Sequence, residues 1–152
     1  IMTQALSLKN YTNEPGKLED GITKFLRKHE SSANKSLVHL LTGQLYLEAG
    51  KFKKAEEFFM KGIASTKGNK GNTAGIIGRR FFIRGAYEQA LHFFDMCSEL
   101  EPNNALCYLN KGESYYKTNQ FDLAKINFEK ALELDWNLTL ARMYLKMMGE
   151  TN

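Results

Sequence analysis

The sequence predicts an all-α domain built by stacking one repeated helix pair, and three observations lead there. Gly43, Gly78 and Gly112 each head the same series: an aromatic three residues on, an aromatic at nine, alanine at twelve and phenylalanine at sixteen. The members are Tyr46, Phe52, Ala55, Phe59; Phe81, Tyr87, Ala90, Phe94; and Tyr115, Phe121, Ala124, Phe128. The spacing is 35 and then 34 residues, so one supersecondary unit has been copied and neighbouring copies supply each other's core. Apolar residues also recur at intervals of three and four, the mark of a helix with one buried face. Finally, only two prolines occur, Pro15 and Pro102, and no alternating β-branched run competes for strand. With 152 residues, 43% hydrophobic and 25% charged, the composition fits one compact domain spanning 1–152.

Taken in order, the stretch 2–35 keeps only Gly16, Leu18, Gly21 and Phe25 in phase and is a degenerate copy, helical from Leu18 to Leu26. The copy 36–69 places a helix around Gly43, a turn at Gly50-Lys51 and a second helix from Phe52 to Ile63. The copy 71–104 repeats this around Gly78, with a turn at Arg84-Gly85-Ala86 and a helix from Tyr87 to Leu100. Pro102-Asn103-Asn104 then separates it from the copy 105–138, which turns at Asn119-Gln120 before a helix from Phe121 to Leu134. Residues 139–152 begin a further first helix, whose Leu140, Met143, Leu145, Met147 and Met148 cover the last pair. Within each pair the glycine and the alanine let two helices approach closely, and the aromatics fill the space around them.

This pattern resembles the tetratricopeptide repeat, a helix-turn-helix unit of about 34 residues. The copy 71–104 carries it best: Ile77-Gly78, Phe81, Gly85, Tyr87, Ala90, Phe94 and Pro102 fall at the family's marked sites. The copy 105–138 departs at Lys111 and Trp136, and the copy 36–69 at Thr42, Gly62 and Lys67. The resemblance implies a right-handed α-solenoid of antiparallel helix pairs whose first helices line a concave groove. Carried onto this chain, the groove candidates are Leu40, Gln44 and Leu47, then Arg79, Phe82 and Ile83. From the last copy come Leu109, Asn110, Glu113, Tyr116 and Lys117. Family members that clamp a chaperone's terminal carboxylate use lysine, asparagine and arginine at certain of these sites. Here those sites hold Leu40, Gln44, Ile76, Leu106 and Asn110, and only Asn110 fits. The expected ligand is therefore an apolar or amphipathic peptide, with Arg79 or Lys117 pairing an acidic residue of that ligand.

Such a scaffold presents a surface, and nothing in the sequence asks for catalysis. No phosphate loop, nucleophile elbow or paired carboxylates are visible, and the Gly68–Asn72 stretch lacks the P-loop pattern, so the expectation is a non-enzyme without cofactors. His29, His39 and His92 are scattered, which gives no metal site. Cys97 and Cys107 are read as reduced core residues, and with them goes a reducing, cytoplasmic compartment. The net charge of +4 concentrates in the first half, with twelve basic and seven acidic residues in 1–76 against nine and ten in 77–152. Lys51, Lys53, Lys54 and Lys61 are read as a solvated face rather than a nucleic-acid surface. No apolar run approaches the roughly 20 residues of a membrane span. Ile1 is not an initiator residue, so a leader or flanking segment of a longer protein is one reading of the first residues.

The expected role is thus a protein-protein interaction adaptor. Two alternatives stay open: a secretion chaperone for an exported bacterial protein, and a structural subunit of a larger pilus or envelope assembly. Part of the groove could be covered by the chain's own Leu6 and Leu8, or by a second copy closing a homodimer on the apolar repeat ends.

Overall fold

The computed structural model describes residues 1–29 and 33–150. Glu30, Ser31 and Ser32, within the copy 2–35, and Thr151 and Asn152, within 139–152, lie outside the described residues. Among the described residues there are nine α-helices and no strand. They are α1 (Met2–Leu8), α2 (Pro15–His29), α3 (Lys35–Glu48), α4 (Phe52–Ser65), α5 (Lys70–Ile83), α6 (Tyr87–Leu100), α7 (Ala105–Lys117), α8 (Phe121–Leu134) and α9 (Thr139–Glu150). A 3₁₀ turn over Lys9–Tyr11 follows α1. The chain divides into two compact units, Ile1–Lys70 and Gly71–Asn152.

One turn geometry recurs at the sequence period. Gly50, Gly85 and Asn119 sit at φ 71°, 73° and 60°, each one residue before the N-cap of the pair's second helix. The backbone N–H groups of Lys51, Ala86 and Gln120 donate to the carbonyls of Tyr46, Phe81 and Tyr115 at 2.9, 3.1 and 2.9 Å. This six-to-one closure satisfies helix-end carbonyls through a left-handed residue, which glycine and asparagine supply at least cost.

In residues 1–70, α3 and α4 form the copied pair. A Cβ on Gly43 would stand 2.7 Å from the ring of Phe59, itself 1% exposed, so the two helices approach because that position carries no side chain. Leu18, Ile22 and Phe25 of α2 complete the core with Val38, Leu45, Tyr46 and Ile63. Glu19 ties three helices together. It accepts hydrogen bonds from Tyr46 Oη (2.8 Å), Lys51 Nζ (2.7 Å) and Lys54 Nζ (2.8 Å). Burial alone raises this carboxyl's pKa, but those bonds prevail and bring it down to about 2.

In residues 71–152 the same close approach recurs twice. Added Cβ atoms on Gly78 and Gly112 would lie 2.6 Å from the rings of Phe94 and Phe128, both fully buried. Burying each phenylalanine contributes about 1.5–3 kcal/mol. Tyr144 of α9 stacks on Phe128 with ring centroids 4.8 Å apart, and Leu138, Leu140, Leu145 and Met148 join the same cluster. The side chain of Asn104 caps α7 by accepting from Leu106 N at 3.1 Å.

The cysteines depart from the sequence expectation of two free core thiols. Cys97 and Cys107 are bonded to each other, and no free cysteine remains. Cys97 lies in the last turns of α6 and Cys107 in the first turn of α7, and the intervening turn at Pro102–Asn104 folds one back on the other. Their Cα atoms come within 5.7 Å, which is disulfide range. The inference of a reducing compartment rested on free thiols and loses that support.

Candidate functional site

Counting from each pair's glycine separates the proposed groove residues into two sets with different environments. The first set belongs to the packing within a pair. Three residues before the glycine stand Leu40, Gly75 and Leu109, and nineteen after it stand Gly62, Cys97 and Ala131. A Cβ on Gly62 would meet Leu40 Cδ2 at 2.6 Å, and one on Gly75 would meet Cys97 Sγ at 3.0 Å. Leu109 and Ala131 share one buried cluster. A large residue on one helix thus faces a small one on the other, in either order, so Leu40 and Leu109 serve the pair's interface.

Position four after the glycine is also largely internal. Leu47 is 1% exposed and belongs to the core. Its counterpart Phe82 packs edge-on against Tyr87 beneath the Arg79 guanidinium, 4.7 Å from its ring. Tyr116 is held between Phe121 and Tyr144, so α9 covers much of it.

The second set lies on one helical stripe, two residues before the glycine and one and five after it. On α5 these are Ile76, Arg79 and Ile83; on α7 they are Asn110, Glu113 and Lys117. Arg79 Nη1 meets Glu113 Oε2 at 2.7 Å, which brings the two stripes side by side. Glu113 is 5% exposed, and its other oxygen accepts from Tyr144 Oη at 3.4 Å. Next to this negative charge, burial first and then Glu113 push the Tyr144 phenol up from its ordinary pKa. Arg79 therefore has its acidic partner inside the chain, a correction to the expectation that it pairs with the ligand. Lys117 is exposed. Around the ion pair Ile76 and Ile83 are 50% and 72% exposed, and Leu106, one turn before Asn110, is exposed too.

On α3 the equivalent stripe is more occupied. Gln44 Nε2 donates to Glu48 Oε1 at 2.9 Å, and Lys9, just after α1, pairs with the same oxygen at 3.3 Å. Of the two leucines expected to cover this part, Leu8 is buried against Gly21 of α2 and Leu6 is exposed. Among the described residues, one group of metal-ligating types converges, Cys97, Glu101 and Cys107, but its two sulfurs are bonded to each other. No described helix is long and apolar enough to cross a membrane.

Residues 38–72 and 105–135 each match a family profile described as tetratricopeptide repeat. The chain is a tetratricopeptide-repeat protein, with the all-α helix-pair architecture of that family. Among solved structures it is similar to the first tetratricopeptide domain of Spaghetti (RPAP3), bound to the HSP90 peptide SRMEEVD. There the identity is 20% and the TM-score 0.60, over 79% of this chain and 94% of that one. The Arabidopsis OM64 tetratricopeptide domain matches at 20% identity and TM-score 0.57, over 74% and 92%. MamA matches at 17% identity and TM-score 0.64, over 94% and 83%. No curated protein sequence matches the chain.

Proposed function

We propose that this chain is a protein-interaction scaffold rather than an enzyme, and that the α5–α7 stripe receives an apolar or amphipathic segment of a partner protein. The observation that carries this reading is the Arg79–Glu113 pair. It neutralises the centre of the stripe while Ile76, Ile83 and Leu106 stand exposed around it. A surface whose charges satisfy each other gains most from burying aliphatic area, at about 25 cal/mol per Å². Lys117, exposed at the stripe's end, is left to pair an acidic residue of the ligand and fix its direction. The SRMEEVD ligand of the RPAP3 domain is acidic, whereas the sites where the family's carboxylate clamp would stand hold Leu40, Gln44, Ile76, Leu106 and Asn110 here, of which only Asn110 fits, so an apolar ligand is the better fit.

The test is selection of peptides from a displayed random library by the intact chain, followed by affinity measurement with the double variant Ile76→Glu, Ile83→Glu. Both positions are exposed, so helicity and Tm should stay near wild type. Affinity for the selected peptides should fall at least about a hundredfold, since each isoleucine buried by a ligand is worth about 1.5–3 kcal/mol. Unchanged affinity in a folded double variant removes the stripe from the binding surface.

A further inference from the structure

Residues 1–70 hold a second concavity, which the peptide-binding reading does not use. It is a cavity of about 610 Å³ bounded by the last turns of α2, the first turn of α3 and the later turns of α4. That volume falls within the roughly 300–1,000 Å³ typical of small-molecule sites. Leu26, Val38 and Phe58 supply an apolar floor.

The polar lining is one-sided in charge. Arg27, Lys35 and Lys61 line the cavity together with His29 and His39, and no carboxylate does so among the described residues. Lys61 is partly neutralised by its ion pair with Glu57 and lies over the Phe58 ring. Arg27 and Lys35 have no ion pair with a described residue. His39 Nδ1 is shut off from solvent and has no hydrogen-bond partner among the described residues. Burial keeps this imidazole below its ordinary pKa against the pull of the Lys61 backbone carbonyl, and the charges of Lys35 and Lys61 add to the lowering.

We propose that this cavity binds a small amphipathic anion, an aliphatic monocarboxylate whose chain lies on Leu26, Val38 and Phe58 and whose carboxylate is met by Arg27 and Lys35. Each part of the ligand answers a feature of the lining. The alkyl chain takes the floor, and the carboxylate meets cations that form no ion pair with a described residue. The carboxylate oxygens accept from the Arg27 guanidinium and the Lys35 ammonium in charge-assisted hydrogen bonds.

Titration calorimetry on the full chain tests this with decanoate, with decanol as the neutral isostere, and with acetate as the headgroup alone. Decanoate should bind saturably at one per chain, decanol about tenfold or more weaker, and acetate not detectably, since a charge-assisted hydrogen bond is worth about 1.5–3 kcal/mol. The double variant Arg27→Gln, Lys35→Gln changes only exposed side chains, so it should fold as wild type. It should lose about tenfold for decanoate and nothing for decanol. Absence of saturable decanoate binding, equal binding of acid and alcohol, or indifference of decanoate to the double variant each overturns the assignment. So does preference for a short apolar peptide with a free C-terminus over decanoate.

Discussion

Glu19 shows how a single side chain can fasten a degenerate repeat to a regular one. Its two oxygens take three donors from α3 and from the start of α4. The same bonds hold its pKa at about 2, against 4.5 for an unperturbed carboxyl. A carboxyl whose pKa is lower in the folded state adds stability that is fully present above the unfolded value. That stability is lost as pH falls toward the folded one. The window here runs from about pH 4.5 down to about pH 2. Because Glu19 is one-third exposed, solvent screens part of the effect. Glu19→Gln should therefore lower Tm at neutral pH and also reduce the fall of Tm across that window. Thermal melts of both proteins along a pH series provide the check. Parallel Tm profiles for variant and wild type would mean that the cluster contributes nothing through its charge.

At the scale of the element, the joint between consecutive pairs is where chain order and covalent chemistry meet. The Cys97–Cys107 bond spans the α6–α7 turn with a sequence separation of 10. Closing a loop of that length restricts the unfolded chain by about 2–3 kcal/mol. Alkylation before reduction should label neither cysteine, and alkylation after reduction should label both. The Cys97→Ala, Cys107→Ala variant should lose stability on that order in denaturant titration, and a variant as stable as the oxidised protein would count against the bond as a clamp. This joint was only half legible in the sequence. Pro102-Asn103-Asn104 announced the turn, and Gly50, Gly85 and Asn119 marked the turns inside each pair. Two cysteines ten apart, however, look the same whether the turn brings their sulfurs together or keeps them apart. The division of the groove candidates into packed and exposed sets was hidden for a different reason. Leu40 and Leu109 look like surface leucines along α3 and α7, and only comparison across copies reveals them. Leu40 with Gly62, Gly75 with Cys97, and Leu109 with Ala131 exchange size between two helices, which marks a packed pair. Arg79 and Glu113 occupy the same repeat position with opposite charge, a signal that was present in the sequence and read as two separate contacts.

At the scale of the whole molecule, repetition decides how stability is distributed. In a stack of copies each helix pair depends on its neighbours, so cohesion is a sum of local terms rather than a property of one central core. The basic excess of residues 1–76 illustrates this locality: Lys51 and Lys54 are taken up by Glu19, Lys61 by Glu57 and Lys9 by Glu48, all within residues 1–70. Residues 71–152 carry internal contacts of the same local kind. Phe94 fills the space left by Gly78, Phe128 that left by Gly112, Tyr144 stacks on Phe128, and Arg79 meets Glu113. A chain of that size buries too little surface for comfort, and small domains usually need an added constraint, which the disulfide supplies here. A fragment from Thr66 to Asn152 should accordingly fold alone when oxidised, with a helical far-UV spectrum and a single sigmoidal melt. Reduction should lower its melting temperature by more degrees than a comparable loss costs a larger domain, because unfolding entropy scales with size. If the oxidised fragment melts without a cooperative transition, α5–α9 is not a self-sufficient stack, and the locality argued for the repeats fails at its most direct point.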